Sequence, residues 1–126
     1  MRKFRPKAYW RKLSRNTMAE DWQLPRVGNS ADPLRLGVLI SGSGSGMEAL
    51  LRHQQNSNCL HTTNVVISDR PDVAGLDKAG AMDVTATVVP LPEILDREER
   101  RLVHEEEINQ VLADYGVEVI ILSGYM

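Results

Sequence analysis

Residues 36–51 read LGVLISGSGSGMEALL and join a short apolar run to a helical pattern through alternating glycines and serines. The run Leu36–Ile40 is typical of a strand that is covered on both faces of a parallel sheet. Met47, Leu50 and Leu51 recur at helical spacing, which predicts a helix from about residue 47 to residue 55. This stretch is the opening strand, loop and helix of an α/β fold.

The rest of the chain repeats that alternation. Further strands are predicted at 64–67, 85–89 and 117–122, and a short helix at 73–81. Asp96 and Glu99 form a variant of the capping box that opens a third helix, and Gly116 is placed to end it. The order β-α-β-α-β-α-β predicts a Rossmann-like, doubly wound parallel sheet of about four strands, incomplete at the C-terminus.

Ligands of such sheets bind at the carboxyl ends of the strands. That rule places three loops of this chain along one rim: Ser41–Gly46, Ser68–Arg70 and Ser123–Met126. The glycine-serine loop is the most informative of them, because glycine lets the backbone approach a ligand and the first-turn N–H groups of a helix lack partners within it. A phosphate is the natural occupant of such a site.

Composition narrows the class of protein. The chain has 126 residues, 42% apolar and 25% charged, which suits one globular domain, and no apolar run approaches the length of a membrane span. The single cysteine, Cys59, cannot form an internal disulfide, and no second cysteine completes a zinc pattern, so a reducing cytoplasmic setting is expected. We expect neither a membrane nor a nucleic acid as partner, and oligomeric state stays open.

The charged residues are distributed unevenly along the chain. Residues 1–33 carry eight Lys or Arg against three acids, and residues 34–126 carry seven against fourteen, giving +5 and −7 and a sum of −2. We interpret residues 1–33 as a basic, disordered N-terminal extension; a nucleic-acid or membrane-surface arm and a transit peptide are the alternatives. Residues 34–126 are the folded part.

Two nucleotide-binding patterns compete at the loop. No Lys-Ser or Lys-Thr follows the last glycine, so the loop is not a Walker A motif and NTP hydrolysis is not expected. The segment 44–49, GSGMEA, fits G-x-G-x-x-A, and Asp69 lies roughly twenty residues on, as in dinucleotide-binding folds. The local pattern alone leaves an NAD-binding dehydrogenase domain open.

Three motifs together resemble phosphoribosylglycinamide formyltransferases, the purine-synthesis enzymes that use 10-formyltetrahydrofolate. They are LISGSGSG at 39–46, VISDRPDVAGL at 66–76 and IILSGYM at 120–126, in the order and spacing of the first half of that family. The resemblance covers residues 34–126 and implies a formyl transferase acting on the amine of glycinamide ribonucleotide.

The resemblance implies specific residue roles. The family's Gly-Ser-Asn, which holds the phosphoribosyl group, falls on Gly44, Ser45 and Gly46, with Gly46 in place of the asparagine. Arg97 matches best the arginine that contacts the folate co-substrate, although Arg100 and Arg101 are close. Met126 matches the first residue of the segment that lines the folate pocket.

The resemblance also implies what this stretch of chain lacks. The family's catalytic Asn, His and Asp fall beyond residue 126, so the chain as given is expected to bind substrate and to be inactive alone, and no metal is expected. His53, His61 and His104, predicted in or beside the first and third helices, match none of these and are expected to be surface or packing residues. The run Glu105–Glu107 is expected to be a solvated helix face. A phospho-ligand binding module without chemistry is a further alternative.

Overall fold

The computed structural model describes residues 26–125. Four strands alternate with three helices along the chain. The strands are β1 (Leu34–Ile40), β2 (His61–Ser68), β3 (Ala86–Val88) and β4 (Val119–Leu122), and the helices are α1 (Ser45–Gln54), α2 (Ala74–Ala81) and α3 (Arg97–Asp114). Every predicted element is present, with ends that differ by no more than three residues. No helix within residues 26–125 has both the length and the apolar character needed to cross a membrane.

The strands form one parallel sheet in the order β3-β2-β1-β4. Val38 and Ile40 of β1 face α1 and α2 in a core that includes Met47 and Ala79. Leu39 of β1 faces the opposite way, into the core formed with α3. Helices thus cover both faces of the sheet, which confirms the predicted Rossmann-like doubly wound fold and explains the unbroken apolar run of β1.

A bulge at Asn64 changes which way β2 faces. The pairing of β1 with β2 shifts by one residue between Leu36 and Gly37, which leaves Asn64 without a partner in the register. Before the bulge, Thr63 bonds Gln54 of α1; after it, Val65 packs with the α3 core. The Asn64 amide meanwhile donates to the Tyr115 carbonyl at the end of α3, at 2.8 Å.

Both ends of α3 are closed as the sequence predicts. The Asp96 carboxylate accepts a hydrogen bond from the Glu99 amide at 2.8 Å. At the other end Gly116 takes a left-handed φ of 66°. The amides of Gly116 and Val117 return to the carbonyls of Ala113 and Leu112, which is the Schellman pattern.

Residues 26–33, assigned from sequence to the disordered extension, instead have defined contacts with the sheet. Arg26 donates from Nε to the Glu118 carboxylate at 2.7 Å and from its other nitrogens to the carbonyls of Asp32 and Pro33. A side chain at position 28 would collide with backbone atoms of Leu60 and Leu34, so only glycine fits there. These contacts attach residues 26–33 to the sheet, and the assignment of residues 1–33 to an N-terminal extension stays a prediction. Residues 1–25 lie outside the described part of the chain.

Glu118 connects this segment to β1 and β4. Its side chain is 7% exposed and accepts hydrogen bonds from Arg26 and from the Arg35 amide. Burial alone would raise the pKa of Glu118, but these hydrogen bonds and the two arginine charges lower it below its ordinary value. The ionised carboxylate therefore stabilises the folded state.

We predict that Glu118→Gln destabilises the protein by about 1–3 kcal/mol at neutral pH, because hydrogen bonds to a charged group are lost. The pKa of Glu118 is lower in the folded state than in the unfolded state, where it is near 4.5. The stabilisation by the Glu118 carboxylate is therefore fully present above the unfolded-state pKa and is lost as pH falls through the folded-state pKa. The difference between wild type and variant should therefore shrink on acidification in urea unfolding series. Glu105→Gln, in an exposed pair with Arg101, should change stability by no more than about 0.5 kcal/mol. An equal effect of Glu118→Gln at acidic and neutral pH would contradict this assignment.

Candidate functional site

The loops that follow β1 and β4 are fastened to each other at the carboxyl edge of the sheet. The Ser41 hydroxyl donates to the Gly124 carbonyl at 2.9 Å. The Ser123 amide donates to the Leu39 carbonyl, also at 2.9 Å. Residues 41–46 and 123–125 therefore share one rim, as the sequence predicts for parallel strands.

Gly44 fixes the path of the glycine-serine loop. It is the N-cap of α1, with a left-handed φ of 71°, and is buried. A Cβ there would lie 2.8 Å from the Gly75 Cα and 2.9 Å from the Met47 methyl group. The Gly75 amide also donates to the Gly42 carbonyl at 3.2 Å. The loop thus packs on the start of α2 through main chain alone.

The loop presents unpaired amides to solvent. Glu48 is the first residue of α1 whose amide reaches back to a helical acceptor, the Gly44 carbonyl at 2.8 Å. The amides of Ser45, Gly46 and Met47 precede it, and no described side chain caps the helix. Ser45 and Gly46 are exposed. These amides, with the positive end of the helix dipole, suit an anion.

The charge of Glu48, in the first turn of α1, is balanced locally. Its carboxylate pairs with Arg52 at 2.9 Å and with Lys78 of α2 at 3.7 Å. An anion at the amides of α1 consequently meets a neutralised carboxylate instead of a free negative charge.

The loop after β2 contributes a second part of the rim. The buried Ser68 hydroxyl donates to the Arg70 carbonyl at 2.8 Å and accepts from the Arg70 amide at 3.0 Å, which closes a tight turn. The turn leaves the Arg70 side chain exposed. Asp69 has one buried carboxylate oxygen, Oδ1, with no hydrogen-bond partner among the described residues.

A hydrogen-bonded chain runs from the loop after β4 to the end of β3. His104 Nε2 lies 2.7 Å from the Val89 carbonyl, which can only accept, so Nε2 carries the proton. In the neutral ring Nδ1 then accepts from the Tyr125 hydroxyl at 3.4 Å. Burial raises the pKa of Tyr125, and the charges of Asp69 and Glu105 raise it further, so the phenol stays a donor.

This arrangement identifies His104 as a packing residue, as expected, because both of its ring nitrogens are occupied. His53 is exposed on α1, also as expected. His61 lies in β2 and beside α1, as expected, with its ring stacked on His53. The strand begins three residues earlier than its apolar core suggests. Glu105, Glu106 and Glu107 form the expected exposed face of α3.

Three arginines are candidates for the folate contact, and they differ in their partners. Arg100 donates to the Ile94 carbonyl at 3.3 Å, and Arg101 pairs with Glu105 at 3.0 Å. Arg97, exposed at the first position of α3, has no hydrogen bond or ion pair with a described residue. Of the three, its guanidinium is the one free to bind a ligand. Met126 lies outside the described residues.

An open cleft of about 510 Å³ lies beside β3 and α3 and is separate from the glycine-serine loop. Its charged lining residues are Glu93 and Glu107, which disfavours an anionic ligand. The structure also gathers His53, Cys59 and His61 near the start of β2. A search of the sequence for pairs of cysteines does not find this cluster, because it combines one cysteine with two histidines.

The comparison with known families settles the class of protein. A family model described as Formyl transferase matches residues 34–126. The chain belongs to the formyl transferase family. The match spans the whole described sheet and all three loops of the rim.

Two relatives of this formyl transferase chain illustrate the range of similarity. The trifunctional purine biosynthetic protein adenosine-3 of Homo sapiens is 33% identical over 92 residues, which cover 73% of this chain and 9% of that protein. The phosphoribosylglycinamide formyltransferase of Escherichia coli is 27% identical over 95 residues, which cover 74% of this chain and 42% of that enzyme.

Solved structures agree on the fold. The phosphoribosylglycinamide formyltransferase from Brucella melitensis matches with a TM-score of 0.68 and 33% identity over 75% of this chain and 47% of that one. Glycinamide ribonucleotide transformylase 1 from Symbiobacterium toebii matches with a TM-score of 0.64 and 34% identity, over 75% and 42%. The formyl transferase chain thus spans less than half the length of the relatives that it matches.

The geometry also weakens the dinucleotide alternative. In a G-x-G-x-x-A fingerprint the last small residue allows close packing of helix on strand, but Ala49 of this formyl transferase is exposed. The acidic residue of that fingerprint binds a ribose hydroxyl, whereas one carboxylate oxygen of Asp69 is buried. The loop therefore matches the dinucleotide-binding fingerprint in its sequence but does not have the helix packing that the fingerprint requires.

We predict that Gly44→Ala lowers the free energy of unfolding by about 2 kcal/mol or more, since a left-handed φ costs a residue with a Cβ about 1–2 kcal/mol before any collision. Gly42→Ala is the matched control, because its Cβ would meet no atom within 4 Å. Urea unfolding of both variants measures the difference. Equal stability of the two would show that the Gly44–Gly75 contact does not constrain the loop.

Proposed function

We propose that residues 34–126 form the substrate-binding part of a phosphoribosylglycinamide formyltransferase. The full enzyme transfers the formyl group of 10-formyltetrahydrofolate to the amine of N1-(5-phosphoribosyl)glycinamide in the synthesis of IMP, in the cytoplasm. The observation that carries the proposal is the pair of exposed residues Ser45 and Gly46, whose amides lack an acceptor within α1, at the carboxyl edge of the parallel sheet.

A phosphate monoester suits these amides in both charge and shape. The exposed residues Ser45 and Gly46 in the first turn of α1 have amides without an acceptor in the helix, and the helix dipole adds about half a positive charge there. The Ser45 hydroxyl supplies a further donor beside them. Gly44 keeps the main chain close to the ligand, and no side chain at position 46 blocks the approach. We assign the phosphoribosyl group to Gly44, Ser45 and Gly46.

Arg97 is the proposed contact to the folate. Its guanidinium is exposed and unpaired among residues 26–125, and folates carry carboxylates, which a guanidinium binds as a two-pronged donor. Formyl-folate is the co-substrate in this scheme and supplies the transferred carbon. Met126 remains a proposed lining residue of the folate pocket on resemblance alone.

The described residues have a binding role in this reaction and do not carry out its proton transfer. Attack of the glycinamide amine on the formyl carbon needs a base for the amine proton and donors for the developing oxyanion. Neither nitrogen of His104 is free for that work, and the Tyr125 phenol is held protonated. We therefore propose that the catalytic groups come from other parts of the enzyme.

We predict that the chain binds glycinamide ribonucleotide in a calorimetric titration and shows no comparable affinity for NAD. Ser45→Ala should weaken binding about 5- to 15-fold, the equivalent of one hydrogen bond of about 1–1.5 kcal/mol. Ser43→Ala, in the same loop but before the helix, should leave affinity unchanged. Binding of NAD in preference to the ribonucleotide would refute the proposal. If the full-length protein bound glycinamide ribonucleotide but transferred no formyl group, the alternative of a phospho-ligand binding module without chemistry would be favoured.

A substitution at Gly46 tests the proposal through an expected increase in affinity for glycinamide ribonucleotide. A Cβ at this position meets only the Ser123 hydroxyl, at 2.8 Å, and that oxygen moves by rotation about one bond. We predict that Gly46→Asn, which restores the residue implied by the family resemblance, folds normally and binds glycinamide ribonucleotide several-fold more tightly through one added side-chain hydrogen bond. Unchanged or weaker binding by a folded Gly46→Asn variant would place the ribose elsewhere.

A further inference from the structure

His53, Cys59 and His61 bring three metal-ligating groups together at the opposite edge of the sheet from the rim. One ligand atom from each lies within 4.8 Å of the other two. The Cys59 sulfur is 3.6 Å from Nε2 and 3.7 Å from Nδ1 of His61. The two imidazole rings stack, with centroids 5.8 Å apart and planes inclined by 27°.

Two local features of the backbone produce this cluster. The turn after α1 is closed by hydrogen bonds from the Asn56 amide to the His53 carbonyl and from the Cys59 amide to the Asn56 carbonyl, which returns Cys59 towards His53. The bulge at Asn64 then sets the facing of β2: residues before it face α1, and Val65 after it faces α3. Without that extra residue, His61 would point away from α1.

We propose that His53, Cys59 and His61 form a binding site for one Zn²⁺ ion. Two imidazoles and a thiolate are ligands that zinc prefers, whereas Mg²⁺ and Ca²⁺ require oxygen ligands. Three protein ligands leave the fourth tetrahedral position to water. On binding, the Cys59 thiol gives its proton to solvent, one Zn–S and two Zn–N bonds form, and water molecules leave the hydrated ion.

The distances suit zinc with little rearrangement. Bonds of about 2.0–2.3 Å at a tetrahedral centre separate ligand atoms by roughly 3.3–3.8 Å. The pair Cys59–His61 already has that spacing. The remaining closure of about 1 Å requires rotation of His53, an exposed side chain in the last turn of α1.

Outer groups already orient His61. The Gln54 amide lies 2.9 Å from Nδ1, and the Thr63 hydroxyl lies 2.8 Å from the other end of that amide. The structure has the Gln54 nitrogen at Nδ1, and a 180° turn of that amide would place its oxygen there as the acceptor of Nδ1–H and leave Nε2, 3.6 Å from the Cys59 sulfur, for the metal. Such a hydrogen bond is the usual outer support of a metal-bound histidine.

The place of the site indicates a structural role. It joins the last turn of α1 to the first residue of β2, and α1 extends about 15 Å from there to the glycine-serine loop. A metal here fixes the α1–β2 connection and touches no proposed substrate group. The proposal is independent of the proposed function, because loss of zinc binding leaves the amides of α1 unchanged.

The test uses the full chain, free of affinity tags, reduced and stripped of metal with a chelator. We expect titration with Zn²⁺ alone to give one site of micromolar or tighter affinity that strengthens with pH, since binding releases a proton. Co²⁺ should give an ultraviolet thiolate-to-metal charge-transfer band. Zn²⁺ should also raise the thermal unfolding midpoint.

Variants assign the ligands. Cys59→Ser should abolish the cobalt thiolate band, and His53→Gln and His61→Gln should each weaken zinc binding by more than the about 10- to 100-fold loss typical of outer-shell changes such as Gln54→Ala. Gln55→Ala, exposed at the end of the same helix, is the matched control and should bind as wild type. His53 is exposed, so its variant tests the site without risk to the fold.

Two results would overturn the proposal. One is zinc affinity weaker than millimolar in the wild-type chain. The other is wild-type affinity in the folded triple variant His53→Gln, Cys59→Ser, His61→Gln, which would place any bound zinc elsewhere. In either case titration of glycinamide ribonucleotide would be unaffected, so that failure of the zinc site is distinguishable from failure of the substrate site.

Discussion

The contact of Gly44 with Gly75 is the constraint on which the rim depends. Two main-chain segments without side chains meet there, one opening α1 and the other in the first turn of α2. The Gly75 amide adds a hydrogen bond to the Gly42 carbonyl. Because helix starts and strand ends meet at this edge, the contact determines where the α1 amides lie relative to the sheet. The anion site is thus a product of backbone packing.

The two faces of the sheet have different tasks. On one face, α1 and α2 position the glycine-serine loop through their N-terminal turns. On the other, α3 carries His104, which connects the end of β3 to Tyr125 and so fastens the segment after β4 across the rim. Main-chain atoms and neutral donors hold both arrangements, and the Glu48 carboxylate near the amides is paired with Arg52 and Lys78. The helix dipole therefore adds to a local charge that is not negative at the proposed anion site.

Much of the fold follows from local signals in the sequence. The apolar run of β1, the Asp96 cap and Gly116 each act within a few residues, so the order of the elements along the chain and the ends of α3 could be predicted. The bulge at Asn64 could not, because it depends on pairing with β1, and it lengthened β2 beyond its apolar core. The position of Gly44 in the rim was predictable. Three contacts could not be predicted, because each joins residues that are distant in sequence or lie across a turn. They are the contact of Gly44 with Gly75, the pairing of Glu118 with Arg26 and Arg35, and the grouping of His53 with His61.

The fastening of the loop by main-chain atoms has an evolutionary consequence. Ser45 and Gly46 belong to a loop whose course is set by Gly44 and by carbonyl and amide groups. Under the proposed function, mutation at these two positions changes what the loop recognises without displacing its amides. Selection can thus alter ligand preference in small steps while the scaffold persists. Relatives that share only a third of their residues with this chain retain the same architecture, as expected where backbone geometry, and not side-chain identity, is inherited.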